Sequence, residues 1–172
     1  MPQIKLLSKN VVEQIAAGEV IERPSSIVKE LLENAIDSGA NKISVFFENG
    51  GLSKIKVVDN GCGIEKDQLP LALSPHATSK INAAEDLYAV STMGFRGEAL
   101  ASMACASKMT LISSVSNDGQ GYKIFSDGGE FSQVEPTASV KGTSVECRDL
   151  FFNLPVRKKF LKSEKSEKIS IL

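Results

Sequence analysis

Short alternating segments separated by glycine-containing turns constrain the fold of this chain more than any other feature. Residues 42–48 alternate apolar and polar side chains as a half-buried strand does, and Asn-Gly-Gly at 49–51 is a hairpin turn signal. Residues 55–58 form the return strand, and turns at 117–119 and 127–129 divide a later meander. The pattern predicts a largely antiparallel sheet with strands at 42–48, 55–58, 108–114, 121–125, 130–134 and 143–148.

Helix signals lie beside these strands. Helices are predicted from a cap at Ser8 to a stop at Gly18, from Pro24 to Gly39, at 67–73, at 98–104 and from Leu154-Pro155 onward. Helices combined with an antiparallel sheet indicate a chain of mixed α/β (α+β) class. A length of 172 residues fits one domain, or one domain and the start of another.

The helix from Pro24 to Gly39 carries two different faces. Its apolar arc is Ile27, Val28, Leu31, Leu32, Ala35 and Ile36. Glu30, Asn34 and Asp37 follow i, i+4, i+7 spacing on the opposite face. A carboxylate can take a proton from water, and an amide oxygen is a neutral ligand for Mg²⁺. In this helix alone, a solvent-exposed polar face explains the same residues.

Two glycine-rich islands accompany this helix. Asp59 follows an apolar strand and precedes Gly61 and Gly63, so its carboxylate can accept a hydrogen bond from an amine while the backbone approaches a flat base. A tight turn closed by Asp59 is the alternative. Gly94-Phe95-Arg96-Gly97 precedes a helix and can bind phosphate through backbone N–H groups, or be an ordinary loop. Neither island is an EF-hand, a Walker A loop or a Rossmann fingerprint.

Composition excludes several classes of protein. The net charge is −1, so there is no general attraction to nucleic acid. The three cysteines are far apart, which predicts reduced, mostly buried thiols, and the single histidine makes a zinc site improbable. No segment has the length of a signal peptide core or a membrane span. The run from Arg157 to Lys168 is basic but diluted by Glu164 and Glu167, which fits a solvated helix or weak contact with a DNA backbone.

Six stretches in collinear order resemble the MutL family of mismatch-repair proteins. They are residues 14–24, 29–37, 59–64, 76–80, 94–100 and 150–160. The Glu and Asn pair, the Asp-x-Gly element and the glycine-rich segment alone would indicate only the wider GHKL group of topoisomerases, heat-shock chaperones and histidine kinases. The longer stretches favour MutL, and no phospho-acceptor hairpin precedes the domain as in a histidine kinase.

The resemblance implies a Bergerat ATP-binding sandwich over residues 1–154, with helices on one face of a mixed, mainly antiparallel sheet. Residues 155–172 would be a basic helical segment leading to a second domain. Glu30 would be the general base, Asn34 the Mg²⁺ ligand and Asp59 the partner of the adenine amine. The other implied nucleotide-binding residues are Asp37, Gly61, Gly63, Thr78, Ser79, Lys80, Gly94, Phe95, Arg96, Gly97, Glu98, Ala99, Leu100 and Thr143.

The resemblance also implies ATP and Mg²⁺ as ligands, a lid at 74–97 that ATP orders, and self-association of N-terminal domains. Mismatch-recognition and strand-processing proteins would be partners, in the bacterial cytoplasm near the nucleoid. Pro75 departs from the polar residue that the family has before the lid histidine, and Pro70 stiffens the approach, so altered lid mobility is expected. The family's second domain and its phosphate-binding lysine lie outside these residues, so we expect weak binding and slow turnover.

Two other hypotheses remain at this point. One is a nucleotide-gated interaction module in which Glu30 is structural and no hydrolysis occurs. The other is a DNA-binding domain that uses the basic segment after residue 155. Turnover of a Glu30→Ala variant distinguishes the first, and a steep fall of DNA affinity with salt distinguishes the second.

Overall fold

The computed structural model describes residues 2–74, 99–159 and 164–172. The helices are α1 (Lys9–Val20), α2 (Pro24–Asp37), α3 (Leu69–Ala72), α4 (Ala99–Ala106), α5 (Pro155–Lys159) and α6 (Glu164–Ile171). The strands are β1 (Ile43–Glu48), β2 (Lys54–Asp59), β3 (Lys108–Ser114), β4 (Gln120–Asp127), β5 (Glu130–Phe131), β6 (Glu135–Ala138) and β7 (Gly142–Arg148). Short 3₁₀ turns occupy Asn49–Gly51 and Lys66–Gln68.

The seven strands form one sheet in the order β1-β2-β7-β3-β4, with β5 and β6 both paired to the outer side of β4. All strand pairings within the described ranges are antiparallel. Strand β7 is last in sequence but lies between β2 and β3, so pairings between residues far apart in sequence join the two halves of the sheet. The predicted α+β class, with helices against a mainly antiparallel sheet, is confirmed.

The alternation of side chains assigns one face of the sheet to the core. Ile55 and Val57 are buried, whereas Lys54 and Lys56, which alternate with them, are partly exposed. The strand register extends this face into two rows across the sheet. One row is Val45, Val57, Val145, Leu111 and Ile124. The other row is Phe47, Ile55, Cys147, Met109 and Ser126. Helix α2 packs against β1 and β2 over these rows, and α4 packs against β3 and β4.

Helix α2 begins at Pro24, where the missing N–H of proline removes no helical hydrogen bond. Its predicted apolar arc is buried at Ile27, Val28, Leu31 and Ala35. The buried arc is narrower than predicted, because Ile36 is 54% exposed. Ile36 is about 100° around the helix from Ala35, at the margin of the buried stripe, where the sheet no longer covers it.

Two predicted boundaries are wrong because tertiary packing outweighs local propensity. Ser8 caps α1 as predicted, through a bond from the Val11 N–H, but the helix passes Gly18 and ends at Val20. Glycine in a helix costs about 1 kcal/mol. Ala17 and Ile21 on either side are buried in the core, and their burial offsets that cost.

The predicted strand at 130–134 is also wrong in extent. Pairing ends at Phe131, and a strand that was not predicted, β6, begins at Glu135. Pro136 in this strand cannot donate a ladder hydrogen bond, so proline is confined to special positions in a sheet. The structure accommodates it at the sheet edge, where Pro136 lies opposite Tyr122.

The remaining elements differ from prediction by a few residues. The segment predicted as a helix at 67–73 is a 3₁₀ turn followed by α3, and α4 extends to Ala106 instead of ending at 104. Ile171 of α6 packs against the core near Gly51. Cys105 and Cys147 are buried free thiols and Cys62 is an exposed one, as the cysteine spacing predicted. In the part of the chain that the structure describes, no helix has the length and apolar character of a membrane span.

Candidate functional site

A polar row lies at one end of the helix-facing side of the sheet. The next residues in register beyond the two apolar rows are Ile43, Asp59, Thr143, Ser113 and Tyr122. Each of these residues is two positions from a core-facing residue of its strand and therefore points to the same face of the sheet. The alternation that buries apolar side chains elsewhere therefore places a carboxylate and three hydroxyl-bearing side chains on the helix-facing side of the sheet.

Asp59 is the charged member of this row. The backbone N–H of Gly61 donates to its Oδ1 at 2.8 Å, so the tight-turn bond left open by the sequence is present. Desolvation by burial raises the pKa of Asp59 above its ordinary 3.8, while backbone N–H groups of Gly61 and Thr143 oppose that rise. The result is a partly buried carboxylate held in place by backbone N–H groups.

Glycine is required at two positions around Asp59. Gly63 has φ +77°, and a Cβ there would overlap the carbonyl of Ser114. Gly142 has φ +126°, and a Cβ there would overlap the carbonyl of Asp59. Side chains at either position would separate β2, β3 and β7, so these glycines allow the close backbone packing that forms the row.

Helix α2 places its polar face at the same end of the sheet. Cys62 donates a backbone hydrogen bond to the Ser38 carbonyl at 3.0 Å, which joins the end of α2 to the loop after Asp59. With a rise of 1.5 Å per residue, Asn34 is about 6 Å and Glu30 about 12 Å from Ser38 along the axis. Both side chains are partly buried, as is that of Asp37. Asp37, Asn34 and Glu30 therefore follow one face of α2, starting from the end that is joined to the loop after Asp59.

Asn60 holds the loop between α2 and β1. Its Oδ1 accepts from the N–H groups of Asn41 and Lys42, both at 3.0 Å, and its Nδ2 donates to Asn41 Oδ1 at 2.6 Å. Its own N–H donates to the Lys42 carbonyl at 3.2 Å. This residue was missed from the sequence, although Asn before Gly is a known signal for side-chain bonding to a nearby backbone.

Ser113 was also missed. It is 1% exposed, and its hydroxyl contacts the Ile64 N–H at 2.8 Å, the Gly142 carbonyl at 2.9 Å and Thr143 Oγ1 at 2.8 Å. The available signal was the interruption of an apolar alternation in β3, where Met109 and Leu111 precede it on the same face.

Part of the predicted site lies outside the described residues. These are Thr78, Ser79, Lys80, Gly94, Phe95, Arg96, Gly97 and Glu98. Ala99 and Leu100 form the first turn of α4 and are partly buried against the core. Of the basic segment, the side chains of Lys158 and Lys159 are described and exposed.

A small pocket of about 120 Å³ adjoins the polar row at Ser113 and Tyr122. Its rim includes Lys66, whose Nζ is 5.1 Å from the centre of the Tyr122 ring. Ligand pockets are commonly about 300–1,000 Å³, so this space is too small for a nucleotide and lacks Asp59, Asn34 and Glu30. The polar row and α2, not this pocket, are the better candidate site.

The side chains at this site offer few ligands for a metal ion. Among described residues, no three His, Cys, Asp or Glu side chains cluster as a metal site. Mg²⁺ commonly takes one or two protein oxygens and completes its shell with waters and phosphates. Asn34 fits that requirement, so a metal at this site would be held mainly by a phosphate-bearing ligand.

Comparison with protein families defines the class of this domain. A family model described as histidine kinase-, DNA gyrase B- and HSP90-like ATPase matches residues 22–149. The match includes α2, the loop after Asp59 and the whole sheet. The two-layer arrangement of helices over an antiparallel sheet is the GHKL ATPase fold.

Three individual proteins are similar to this chain over most of its length. The chain is 55% identical over 168 residues to the DNA mismatch repair protein MutL of Cellvibrio japonicus, covering 97% of this chain and 27% of that protein. A crystal structure of the N-terminal domain of a DNA repair protein matches with TM-score 0.77 and 35% identity, over 93% of this chain and 46% of that one. The Aquifex aeolicus MutL ATPase domain complexed with ADP matches with TM-score 0.65 and 33% identity, over 88% and 52%.

The chain therefore belongs to the histidine kinase-, DNA gyrase B- and HSP90-like ATPase family, and within it to the MutL group. It spans about a quarter of the length of the curated relatives that it matches.

Proposed function

We propose that this chain binds ATP with Mg²⁺ and hydrolyses it slowly, as the N-terminal switch domain of a MutL-type mismatch-repair protein. The observation that carries the proposal is the partly buried Asp59 carboxylate in a polar row, joined to the end of α2. Family membership supports nucleotide binding, and one solved relative is complexed with ADP.

The proposed roles follow the line from the row along α2. The Asp59 carboxylate accepts a hydrogen bond from the exocyclic amine of adenine, beside Gly61, Gly63 and Thr143. Asn34 and Asp37 lie toward the phosphates, and Asn34 would be the protein ligand of Mg²⁺. When bound, the metal neutralises phosphate charge. Glu30, farther along the helix, orients a water and takes its proton during attack on the terminal phosphate.

The lid residues complete the proposed site. They are Thr78, Ser79, Lys80, Gly94, Phe95, Arg96, Gly97, Glu98, Ala99 and Leu100. ATP would order this segment and promote pairing of two N-terminal domains, and hydrolysis would reset the switch. Residues 1–154 would form the ATPase domain, and 155–172 would lead to the next domain of the whole protein. Mismatch-recognition and strand-processing proteins would respond to the nucleotide state.

Calorimetric titration with a non-hydrolysable ATP analogue and Mg²⁺ tests the binding step. Asp59→Asn should weaken binding by roughly 10- to 100-fold, because a hydrogen bond to a charged group contributes about 1.5–3 kcal/mol. Asp118→Asn is the matched control, since Asp118 also accepts a backbone bond, from Gln120 at 3.0 Å, but in an exposed hairpin. Equal affinities for all three proteins would overturn the assignment of Asp59.

Turnover of Glu30→Ala separates hydrolysis from a purely nucleotide-gated interaction. We expect ATP hydrolysis to fall by about 100-fold or more with little change in analogue affinity, since general-base catalysis contributes about 10²–10⁴-fold. If the native chain binds the analogue but neither it nor Glu30→Ala hydrolyses ATP, the interaction-module hypothesis stands instead. Equal, measurable rates in the two proteins would show that Glu30 is not the general base.

A further inference from the structure

Ser113 completes the polar row but is buried too deeply to bind a ligand itself. It is 1% exposed, and its hydroxyl has three polar neighbours within hydrogen-bonding distance. A hydroxyl has one proton to donate and two lone pairs that accept. The identities of the three neighbours determine how that capacity is divided.

Two of the neighbours have fixed roles. The Ile64 amide, at 2.8 Å, can only donate, so it takes one lone pair of Ser113. The Gly142 carbonyl, at 2.9 Å, can only accept, so it takes the Ser113 proton. The third contact, with Thr143 Oγ1 at 2.8 Å, is then a hydrogen bond only when Thr143 donates into the remaining lone pair.

Burial keeps this arrangement in place. Reversing the Ser113–Thr143 bond would leave the Gly142 carbonyl without the Ser113 proton, at a position closed to solvent on the Ser113 side. Losing a buried partner in this way is unfavourable, and buried polar groups in proteins are nearly always paired. The proton of Thr143 is therefore directed inward to Ser113, and its oxygen has only lone pairs for other contacts.

Thr143 lies directly opposite Asp59 in the antiparallel pairing of β2 and β7. Opposed residues on one face of such a pair have Cβ atoms about 4.5–5.5 Å apart. The Asp59 carboxylate also accepts hydrogen bonds, so two neighbouring acceptors face the ligand. Adenine carries an amine with two N–H donors at this edge, whereas guanine carries a carbonyl oxygen there. Two acceptors match the first base and repel the second.

We propose that Ser113 is a positioning residue that makes Thr143 an acceptor and so sets the preference for adenine over guanine nucleotides. The inference rests on the proposed binding of adenine at Asp59. In Ser113→Ala the Thr143 proton is released from its inward bond. The Thr143 hydroxyl can then rotate and donate to a guanine carbonyl.

The test is titration of Ser113→Ala with non-hydrolysable analogues of ATP and GTP, each with Mg²⁺. The ratio of ATP to GTP affinity should fall by roughly tenfold, the effect of one hydrogen bond. Ser126→Ala is the matched control, because Ser126 is 0% exposed and bonds Ala104 O at 3.0 Å at the other end of the same face. An unchanged ratio in Ser113→Ala, or an equal fall in Ser126→Ala, would overturn the inference.

Variants at Thr143 test the route of the effect, and the two single variants do not depend on Ser113→Ala being stable. Thr143→Ser keeps the hydroxyl and should keep the native preference, whereas Thr143→Val should lose it. In a Thr143→Val background, Ser113→Ala should change the ratio by less than about twofold, since residues acting through one group are non-additive. Additive effects would mean that Ser113 acts by another route.

Amide exchange without ligand separates this inference from the proposed function. Ser113→Ala should speed exchange at Ile64, the amide bonded to Ser113, while Ser126→Ala should not. If exchange follows this pattern but the native chain binds no ATP analogue, the proposed function fails and the base preference fails with it. If the native chain binds and Asp59→Asn does not, yet Ser113→Ala keeps the native ratio, only the inference on Ser113 fails.

Discussion

At the scale of single residues, Asp59 illustrates a conflict between stability and the proposed binding. Its carboxylate occupies a position that the strand parity assigns to the inside, and burial raises its pKa. A partly desolvated charge is unfavourable for folding, but it is a stronger hydrogen-bond acceptor for a ligand than one in water. The same position in the next two rows inward is held by Val57 and Ile55.

The pH dependence of stability should reveal this conflict. A carboxyl with a higher pKa in the folded than in the unfolded chain binds its proton more tightly when folded. Its contribution to the free energy of unfolding is greatest below 3.8 and declines as the pH rises through the raised pKa. In urea denaturation, Asp59→Asn should therefore be more stable than the native chain at pH 7, with the difference vanishing as the pH falls toward 3.8.

Affinity for the ATP analogue should show the opposite trend. Binding by the native chain should weaken as the pH falls through the raised pKa of Asp59, because the protonated carboxyl is a poorer acceptor. Asp118→Asn again serves as control.

In the stability measurement, a native chain that is more stable than Asp59→Asn at pH 7 would show that the backbone hydrogen bonds of Gly61 and Thr143 outweigh burial.

Thiol reactivity is a second prediction at this scale. Burial raises the pKa of Cys147 to about 12, and burial together with the charge of Glu13 raises that of Cys105. Cys62 is exposed, between Gly61 and Gly63. Because the thiolate is the reactive form, one thiol should react with a thiol reagent in the native chain and three in urea.

ATP analogue with Mg²⁺ should slow the labelling of Cys62 if a base lies against its loop. Cys62→Ser should abolish the native reaction and identifies the site of labelling. Rapid native labelling of Cys147 instead would contradict the packing of the sheet under α2 and α4, because that thiol is 1% exposed.

At the scale of elements, the end of α2 and the loop after Asp59 behave as one unit. Ser38 accepts the Cys62 backbone bond, and its hydroxyl donates to the Ala35 carbonyl at 2.7 Å. A Cβ at Gly61 would overlap the Ser38 side chain. Gly61 therefore sets how closely the helix with Glu30 and Asn34 approaches Asp59.

The pair of Gly61 and Ser38 gives an element-scale prediction. Gly61→Ala should destabilise the chain by about 1–3 kcal/mol, the usual cost of overpacking. Ser38→Gly removes both overlapping side-chain atoms and leaves the Ser38 carbonyl, 3.0 Å from the new Cβ. Gly61→Ala should therefore lower the free energy of unfolding less in the Ser38→Gly background than in the native background. Urea denaturation of the native chain, the two single variants and the double variant measures both differences.

Nucleotide affinity should follow the same cycle if spacing of α2 matters for binding. Gly61→Ala should weaken analogue binding, and Ser38→Gly should restore part of it. Simple additivity of the two substitutions would show that the contact at Gly61 does not limit the approach of α2.

At the scale of the whole molecule, binding and folding share one surface. The polar row is continuous with the two apolar rows beneath the helices, so a ligand bound at the row would lie beside the packed core. A ligand that binds only the folded chain stabilises it by about 2.7 kcal/mol at 100 times its Kd.

Thermal unfolding should therefore report binding. For a domain of this size, saturating ATP analogue with Mg²⁺ should raise Tm by about 5–10 °C. At the same ligand concentration, the 10- to 100-fold weaker binding of Asp59→Asn should reduce the shift to about 1–5 °C, and Asp118→Asn should match the native chain. A shift that persists fully in Asp59→Asn would place the ligand elsewhere on the molecule.

The sequence by itself determined the class of fold and the local identity of most elements. Strand parity in 42–48 and 108–114, and the face of α2 that bears Glu30, Asn34 and Asp37, depend on the backbone period alone. Turn residues such as those at 49–51 mark chain reversals for an equally local reason. The predicted roles of the site residues remain predictions.

Only the tertiary structure decided which strands meet and which side chains share a row. Strand β7 inserts between β2 and β3, and this pairing sets Thr143 opposite both Asp59 and Ser113. Core burial of Ala17 and Ile21 also carried α1 past Gly18, and a position at the sheet edge allowed Pro136 in a strand. Packing decides these features because the energy of burying side chains against distant residues exceeds the small local preferences that a sequence displays.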